Sequence, residues 1–361
     1  MQRSARRTAA GVTIADVART AGVSAMTVSR VMRGDRNVTE PTRLTVLKAI
    51  RELNYVPNLA ARTLAGADHL RIGVIYSNPS AAYLSEFLVG VLDETAGRGV
   101  ALNLVKCEAP EEDAERAAVE RLVQSGVTGV VLPPPLGEAP FVVQALRRAE
   151  IATVAVATGG AASEVSCIRI DDRAAAAEMT RHLIGLGHRR IGFIKGHPNQ
   201  TASHERLAGF QKVIEGSCGA EAIVAQGYFT FASGLEAAET LLAGRPRPTA
   251  VFASNDDMAA ATISLAHRRG LDVPRDLTVV GFDDTPLALT LWPPLTTIRQ
   301  PVSEMAAAAV DLLIREIGAI RAGAPLPLVD QVAAHALVVR QSSDQPPGRP
   351  ARLTSAPEDR G

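Results

Sequence analysis

The sequence predicts an α/β protein in which a small, all-α N-terminal domain is joined to a two-lobed body of parallel sheets. Three observations carry this. Residues 12–57 hold short amphipathic helical patterns with no strand-like alternation. From Leu70 onward, apolar runs alternate with helical stretches, the rhythm of parallel strands covered by helices on both faces. These units are too many for one sheet and fall into two similar groups, which predicts two lobes with a cleft between the C-terminal ends of their strands. A chain of 361 residues has room for this at roughly 100–200 residues per domain.

The charge distribution separates the two parts. The chain is formally neutral, which argues against a nonspecific polyanion binder. Residues 1–62 nevertheless hold eleven Arg and Lys against four acids, net +7, so the remainder is net −7. A compact basic segment on an acidic body is the footprint of a phosphate-backbone binder, because each neutralised phosphate releases counterions. The three cysteines, Cys107, Cys167 and Cys218, are odd in number and far apart, which fits neither a disulfide framework nor a zinc site. Together with the absence of an export-signal pattern and of any apolar run long enough to span a bilayer, they predict a cytoplasmic protein with no membrane partner.

The N-terminal elements follow from capping and periodicity. In TIADVARTAGVSAMTVSRV, Thr13 can cap a helix whose buried stripe is Ile14, Val17, Ala18 and Ala21. Gly22 permits a tight turn, and Ser24 can cap a second helix with Val28, Val31 and Met32 inward. That leaves Ala25, Met26, Thr27, Ser29, Arg30 and Arg33 facing out or along the flank, where a recognition helix meets the major groove. Arg30 can bond guanine O6 and N7 together, whereas Thr27, Ser29 and Arg33 suit phosphates, and Ala25 and Met26 suit a thymine methyl. A third helix is expected from about Thr42 to Asn54, capped upstream by Thr39, with Leu44, Val46, Leu47, Ile50 and Leu53 as its apolar face. Three helices close a small domain.

TIADVARTAGVSAMTVSRVMRG, then VLKAIRELNYVPNLAARTLAG, then LRIGVI resemble the opening of the lactose/galactose repressor (LacI/GalR) family. The resemblance implies an operator-contacting set of Thr13, Ser24, Ala25, Met26, Thr27, Ser29, Arg30, Arg33 and Thr39. It also implies a hinge helix over 58–65 that brings Asn58, Ala61 and Leu64 to the minor groove, with Leu64 wedged into a central step. An apolar wedge of this kind costs a few kcal/mol of unstacking, recovered through added contacts.

In the body, strands are expected in LRIGVIY, VALNLVKC, TGVVLPP, IATVAV, CIRI, RRIGFIKG, AIVAQG, TAVFAS and LTVVGF, with helices between them, and later a helix over 302–320 and the strand HALVVR. Ligand contacts should sit just after strands. That rule selects Ser77 and Tyr83, Asp171 and Asp172, His197 to Arg206, Phe229, Asn255 to Asp257, and Asp283 with Asp284. Carboxylates, an amide and an arginine around a ring suit a polyhydroxylated ligand, whose hydroxyls meet the acceptors while its C–H groups stack on the ring. The strings GHRRIGFIKG, ERLAGF, ASNDDMA, TVVGFDD and PPLTTIRQP are similar, in order, to the sensing domain of the same family, which resembles periplasmic sugar-binding proteins in fold. By that resemblance Arg206, Asn255 and Asp283 hold ligand hydroxyls, Phe229 stacks, and Tyr83 with Asp171 lines the other lobe, while Ser77 is expected from the after-strand rule alone.

The domain organisation expected is therefore a helix-turn-helix domain over 12–57, a hinge over 58–69, a periplasmic-binding-protein-like effector and dimerisation domain over 70–340, and a disordered tail over 341–361. The motifs of hydrolase, phosphate-loop, zinc-protease and dinucleotide chemistry are missing, so no catalytic residues, metal or cofactor are expected. The function implied is an allosteric repressor of carbohydrate-utilisation genes. Its partners are a pseudo-palindromic double-stranded operator, a sugar effector and a second copy of the chain. A nucleobase or other metabolite as effector is the alternative reading, since a ring face with Arg and Asp also suits a purine.

Overall fold

The computed structural model describes residues 12–32, 38–53, 55, 70–108, 111–159 and 164–346. The chain divides into two compact units, Met1–His69 and Leu70–Gly361.

In the first unit, helix α1 (Ile14–Ala21) opens on a capping box: the Asp16 N–H donates to Thr13 Oγ1 at 3.4 Å, and the Thr13 N–H donates to the Asp16 carboxylate at 2.9 Å. Gly22 ends the helix at φ +65°, a left-handed conformation that costs glycine nothing, and the chain turns into α2 (Ala25–Met32). There the Thr27 N–H donates to Ser24 Oγ at 3.1 Å. Helix α3 (Glu40–Glu52) starts at Thr39 with proline in its first turn. Val17, Ala18, Ala21, Val28, Val31, Val46 and Ala49 form the core. The inward face of α3 differs from the one expected: Ala49 is buried while Leu44 and Leu47 are exposed. A short helix packed on two others buries one stripe, Val46, Ala49, Ile50 and Leu53, and Leu44 and Leu47 lie off that i, i+3, i+4, i+7 line.

The second unit alternates strand and helix as expected. Its first lobe runs β1 (Arg71–Tyr76), α4 (Ala81–Arg98), β2 (Ala101–Lys106), α5 (Glu112–Gln124), β3 (Gly129–Leu132), a short 3-10 turn (Leu136–Glu138), α6 (Pro140–Arg148), β4 (Ala152–Val156) and β5 (Ser166–Arg169). Its second lobe runs α7 (Asp172–Leu186), β6 (Arg190–Lys195), α8 (Thr201–Glu215), β7 (Glu221–Gln226), α9 (Phe231–Ala243), β8 (Ala250–Ala253), α10 (Asp256–Arg268), β9 (Thr278–Asp283), α11 (Pro286–Thr290) and β10 (Thr296–Arg299). The chain then returns to the first lobe through α12 (Val302–Arg321) and β11 (Asp330–Val332), and ends in the second with β12 (Ala336–Val338).

The sheets have matching order, β11-β5-β4-β3-β1-β2 and β12-β10-β9-β8-β6-β7. All pairings are parallel except β12 against β10. Parallel strands covered on both faces read as continuous apolar runs, and β3, β8 and β9 are buried along their whole length. In both sheets the order reverses beside the first strand, which places a switch point at the C-terminal ends of β1 and β6.

Residues 341–346, expected to open a disordered tail, are instead packed against the second lobe. Ser342 is fully buried, donates through Oγ to the Val279 carbonyl at 2.6 Å and accepts from the Thr296 N–H at 2.8 Å. The Asp344 carbonyl accepts from buried His188 at 2.8 Å. Residues 341–346 thus close one end of the second sheet, and residues 347–361 lie outside the described residues.

Candidate functional site

The C-terminal ends of the strands of both lobes converge on a cleft with about 370 Å³ of empty space, part of it open to solvent. It is lined by Asn78, Ser80 and Tyr83 after β1, Pro134 after β3, Ala157 after β4, and Gln200, Ala202 and Arg206 after β6. Phe229 after β7, Asn255 after β8, Asp283 at the end of β9 and Gln300 after β10 complete it.

Arg206, in the second turn of α8, is the electrostatic centre. It is 5% exposed, its Nε donates to Asp172 Oδ1 at 2.7 Å, and its Nη1 donates to the Ser254 carbonyl at 2.6 Å. Asp283 Oδ1 lies 3.8 Å from Nη1, and the guanidinium stands 3.6 Å over the Phe282 ring. Burial pushes Asp172 above the usual carboxylate range, with Arg206 pulling the other way. Burial likewise pushes Asp283 up to about 7, against Arg206 and a 2.6 Å hydrogen bond from Gln300. Asp256, buried behind them, is raised by desolvation and by Asp283, and is held by Thr285 and Thr297. Two buried carboxylates, Asp172 and Asp283, therefore share one cation, and the third, Asp256, is held by hydroxyls and a backbone N–H.

Two polar atoms on the cleft wall have no partner among the described residues: the Tyr83 hydroxyl and Gln300 Oε1. Burial and the charge of Asp283 raise the Tyr83 pKa, so the hydroxyl stays a donor. A buried donor and a buried acceptor left open cost stability until a ligand satisfies them. Phe229 adds a ring face. Its φ is +62°, Asp283 has φ +111° and Ala157 φ +53°, so non-glycine residues in the left-handed half of backbone space cluster on this wall. Such strain persists where surrounding structure over-determines it, commonly at ligand sites. Asn255 has two tasks: its Oδ1 caps α10 by accepting from the Met258 N–H at 3.0 Å, and its amide donates to the Phe229 carbonyl at 3.0 Å.

In the first unit, α2 exposes Ala25, Met26 and Arg30, with Met26 61% exposed, while Thr27 and Ser29 are half-buried on its flank. Thr13 caps α1, and the Ser24 and Thr27 hydroxyls bond each other at 2.9 Å, as do those of Thr39 and Thr42. An exposed helix face with one guanidinium, set on two small helices, is the geometry of a groove reader.

Residues 13–58 match the bacterial regulatory proteins of the lacI family, and residues 180–343 match the periplasmic binding protein-like domain. The ribose operon repressor of Escherichia coli K12 is 34% identical over 307 residues, which span 84% of this chain and 93% of that protein. A solved complex of the transcriptional regulator CelR with cellobiose is 30% identical, with a TM-score of 0.69, and covers 92% of this chain and all of the other. The Lac repressor bound to ONPG in its repressed state is 29% identical with a TM-score of 0.74 over the same 92%.

The chain belongs to the lacI family.

As a lacI-family protein it is a DNA-binding transcriptional regulator and not an enzyme. Tyr83, Arg206, Phe229, Asn255 and Asp283 meet in one cleft, and two other expected residues do not. Asp171 is the N-cap of α7, its Oδ1 accepting from the Ala174 N–H at 2.8 Å, and its neighbour Asp172 is the carboxylate that meets Arg206. Ser77 stops short of the cleft, which Asn78 and Ser80 reach instead. Gln200 falls within the 197–206 stretch expected after β6, whereas Gln300 was not expected, although the β-branched run TTI just before it marks a strand whose C-terminal end obeys the same rule. Arg33, Asn58, Ala61 and Leu64 lie outside the described residues. Among those described, no helix is long and apolar enough to cross a membrane, and no group of His, Cys, Asp and Glu could hold a metal ion.

Proposed function

We propose that this regulator is a cytoplasmic homodimer that represses carbohydrate-utilisation genes and changes its operator affinity when an uncharged sugar enters the cleft. The observation that carries the effector class is the charge state of the wall. Arg206 pairs with Asp172, donates to the Ser254 carbonyl and has Asp283 3.8 Å away, so a phosphate or carboxylate ligand would compete with two buried carboxylates for that guanidinium. A hydroxyl pair instead accepts from Tyr83 and donates to Gln300 Oε1 or Asp283 while the sugar ring stacks on Phe229. The ribose repressor and the cellobiose-bound CelR point the same way.

In each copy α2 reads one half-site of a pseudo-palindromic operator, and the hinge residues Asn58, Ala61 and Leu64 meet at its centre. Exposed Val89 and Leu92 on α4, and Leu289 and Trp292 around the end of α11, supply apolar surface for the dimer. The test is a thermal-shift screen against neutral sugars, sugar phosphates and nucleobases. A ligand at 100 times its Kd stabilises the folded state by about 2.7 kcal/mol. A neutral sugar should shift the transition, and Asp283→Asn should abolish the shift. A response to nucleobases alone would replace the sugar reading with a purine one.

A further inference from the structure

Hydrogen bonds to Glu138 and to Asp257 cross from lobe to lobe, and each reaches the N-terminal end of a helix that carries a cleft residue. Helix α8 carries Arg206, yet its N-cap residue Gln200 makes no side-chain capping bond. The cap comes from the other lobe: Glu138, at the end of the 3-10 turn after β3, accepts through Oε2 from the Thr201 N–H at 2.9 Å. Its second oxygen accepts from the Gly159 N–H at 2.8 Å, in its own lobe. Gly159 lies so close to α8 that a Cβ there would stand 2.2 Å from the Ala202 nitrogen. The second bond runs in the reverse sense. Helix α4 carries Tyr83 and is capped by Ser80, whose Oγ accepts from the Tyr83 N–H at 3.3 Å and donates to Asp257 Oδ2 of the second lobe at 2.5 Å.

We propose that Glu138 and Asp257 are reciprocal latches, each a carboxylate holding the first turn of a helix in the opposite lobe, and that together they set how readily the effector domain closes. Glu138 is a positioning residue: it does not line the cleft, and it caps α8, the helix that carries Arg206, only when the lobes meet. Asp257 does the same for Tyr83 through Ser80. Physically, a carboxylate at a helix N-terminus satisfies an orphan N–H and lies at the positive end of the helix dipole. Opening the lobes parts Glu138 from the Thr201 N–H and Asp257 from the Ser80 hydroxyl that caps α4, so each latch favours closure. A charge-assisted hydrogen bond that is this short and partly shielded from water shifts such an equilibrium by about tenfold. The inference takes the cleft as the effector site, but its test needs no effector.

The test is a spin-label distance measurement on the full chain, with Cys218→Ser removing the exposed thiol and labels at exposed Glu120 and Glu239, one in each lobe. Labelled chain is diluted with unlabelled chain so that each signal reports one copy. The wild type should show a dominant short distance. Glu138→Ala, or Glu138→Gln if the alanine variant folds poorly, should lower the closed-to-open ratio by about tenfold, and Asp257→Asn should do so through the other latch. Gly159→Ala keeps both carboxylates but wedges a methyl group against α8, and should give the same longer distance. The proposal is overturned if Glu138→Ala or Glu138→Gln keeps the wild-type distribution, whether or not Gly159→Ala opens the lobes, or if the wild type has no short-distance population. Sugar thermal shifts on the same variants are read separately: no response in any of them sinks the sugar reading, whatever the distances.

Discussion

Replacing Arg206 with methionine removes the one cation that Asp172 and Asp283 share while keeping most of the apolar stem over Phe282. Both carboxylates are buried, so the variant leaves uncompensated charge, a change that costs about 3–5 kcal/mol where a buried pair is broken. The cost depends on pH, and the sign follows from the protonation states. Burial already holds both groups above their unfolded value of 3.8, and Arg206 is what keeps them from rising further. Without it they bind protons more tightly in the folded state, so stability is retained near pH 4 and lost as pH rises through the new folded values. At pH 8 the effector-domain transition should therefore fall by on the order of 10 °C, taking about 2–4 °C per kcal/mol for a domain of this size. At pH 5 the fall should be much smaller. Adding Asp172→Asn to Arg206→Met should recover a large part of the pH 8 loss, because it removes the stranded charge. Differential scanning calorimetry at the two pH values, on single and double variants, reads all of this. An equal loss at both pH values without rescue would refute the reasoning, since it would make Arg206 a packing residue.

Three further outcomes are expected. Arg30→Ala should weaken binding to the preferred operator by about 1–3 kcal/mol and relax the preference at one base per half-site. Competition with base-substituted operators checks this, and an equal loss on every sequence would make Arg30 a phosphate contact. Ser342→Ala should cost about 1–3 kcal/mol, because the Val279 carbonyl and the Thr296 N–H both lose a buried partner; chemical denaturation measures it, and an unchanged midpoint would mean the 341–346 segment does not hold the sheet. His188 is pushed below its usual value, chiefly by burial, so the unfolded chain takes up that proton first and stability should fall as pH drops below about 6.5. His188→Gln should flatten that acid limb, and an unaltered slope between pH 7 and pH 5 would remove His188 as its cause.

The alternation of strands and helices was legible because parallel strands buried on both faces announce themselves as unbroken apolar runs such as IGVI and GFI. The rule that ligands gather after strands selected Tyr83, Arg206, Phe229, Asn255 and Asp283, which line one cleft, together with Ser77 and Asp171, which do not. It could not separate Asp171 from Asp172, since either aspartate can cap a helix and only the turn that follows decides which one faces Arg206. Leu44 and Leu47 misled because hydrophobicity alone does not tell which stripe of a short helix its neighbours cover. Glu138 and Ser342 were invisible for a different reason: their partners, Thr201 and Val279, are 63 residues away in each case, and nothing local marks a cap or closure supplied from such a distance.

The most direct measurement of the central claim is an operator titration. A fragment chosen from random DNA by the protein itself is followed by fluorescence anisotropy, with and without a saturating neutral sugar identified by thermal shift. Coupling between the two sites should change operator affinity by about 5–150-fold and leave binding to unrelated DNA unchanged. Operator affinity that is the same with and without a sugar that binds the protein would contradict the account.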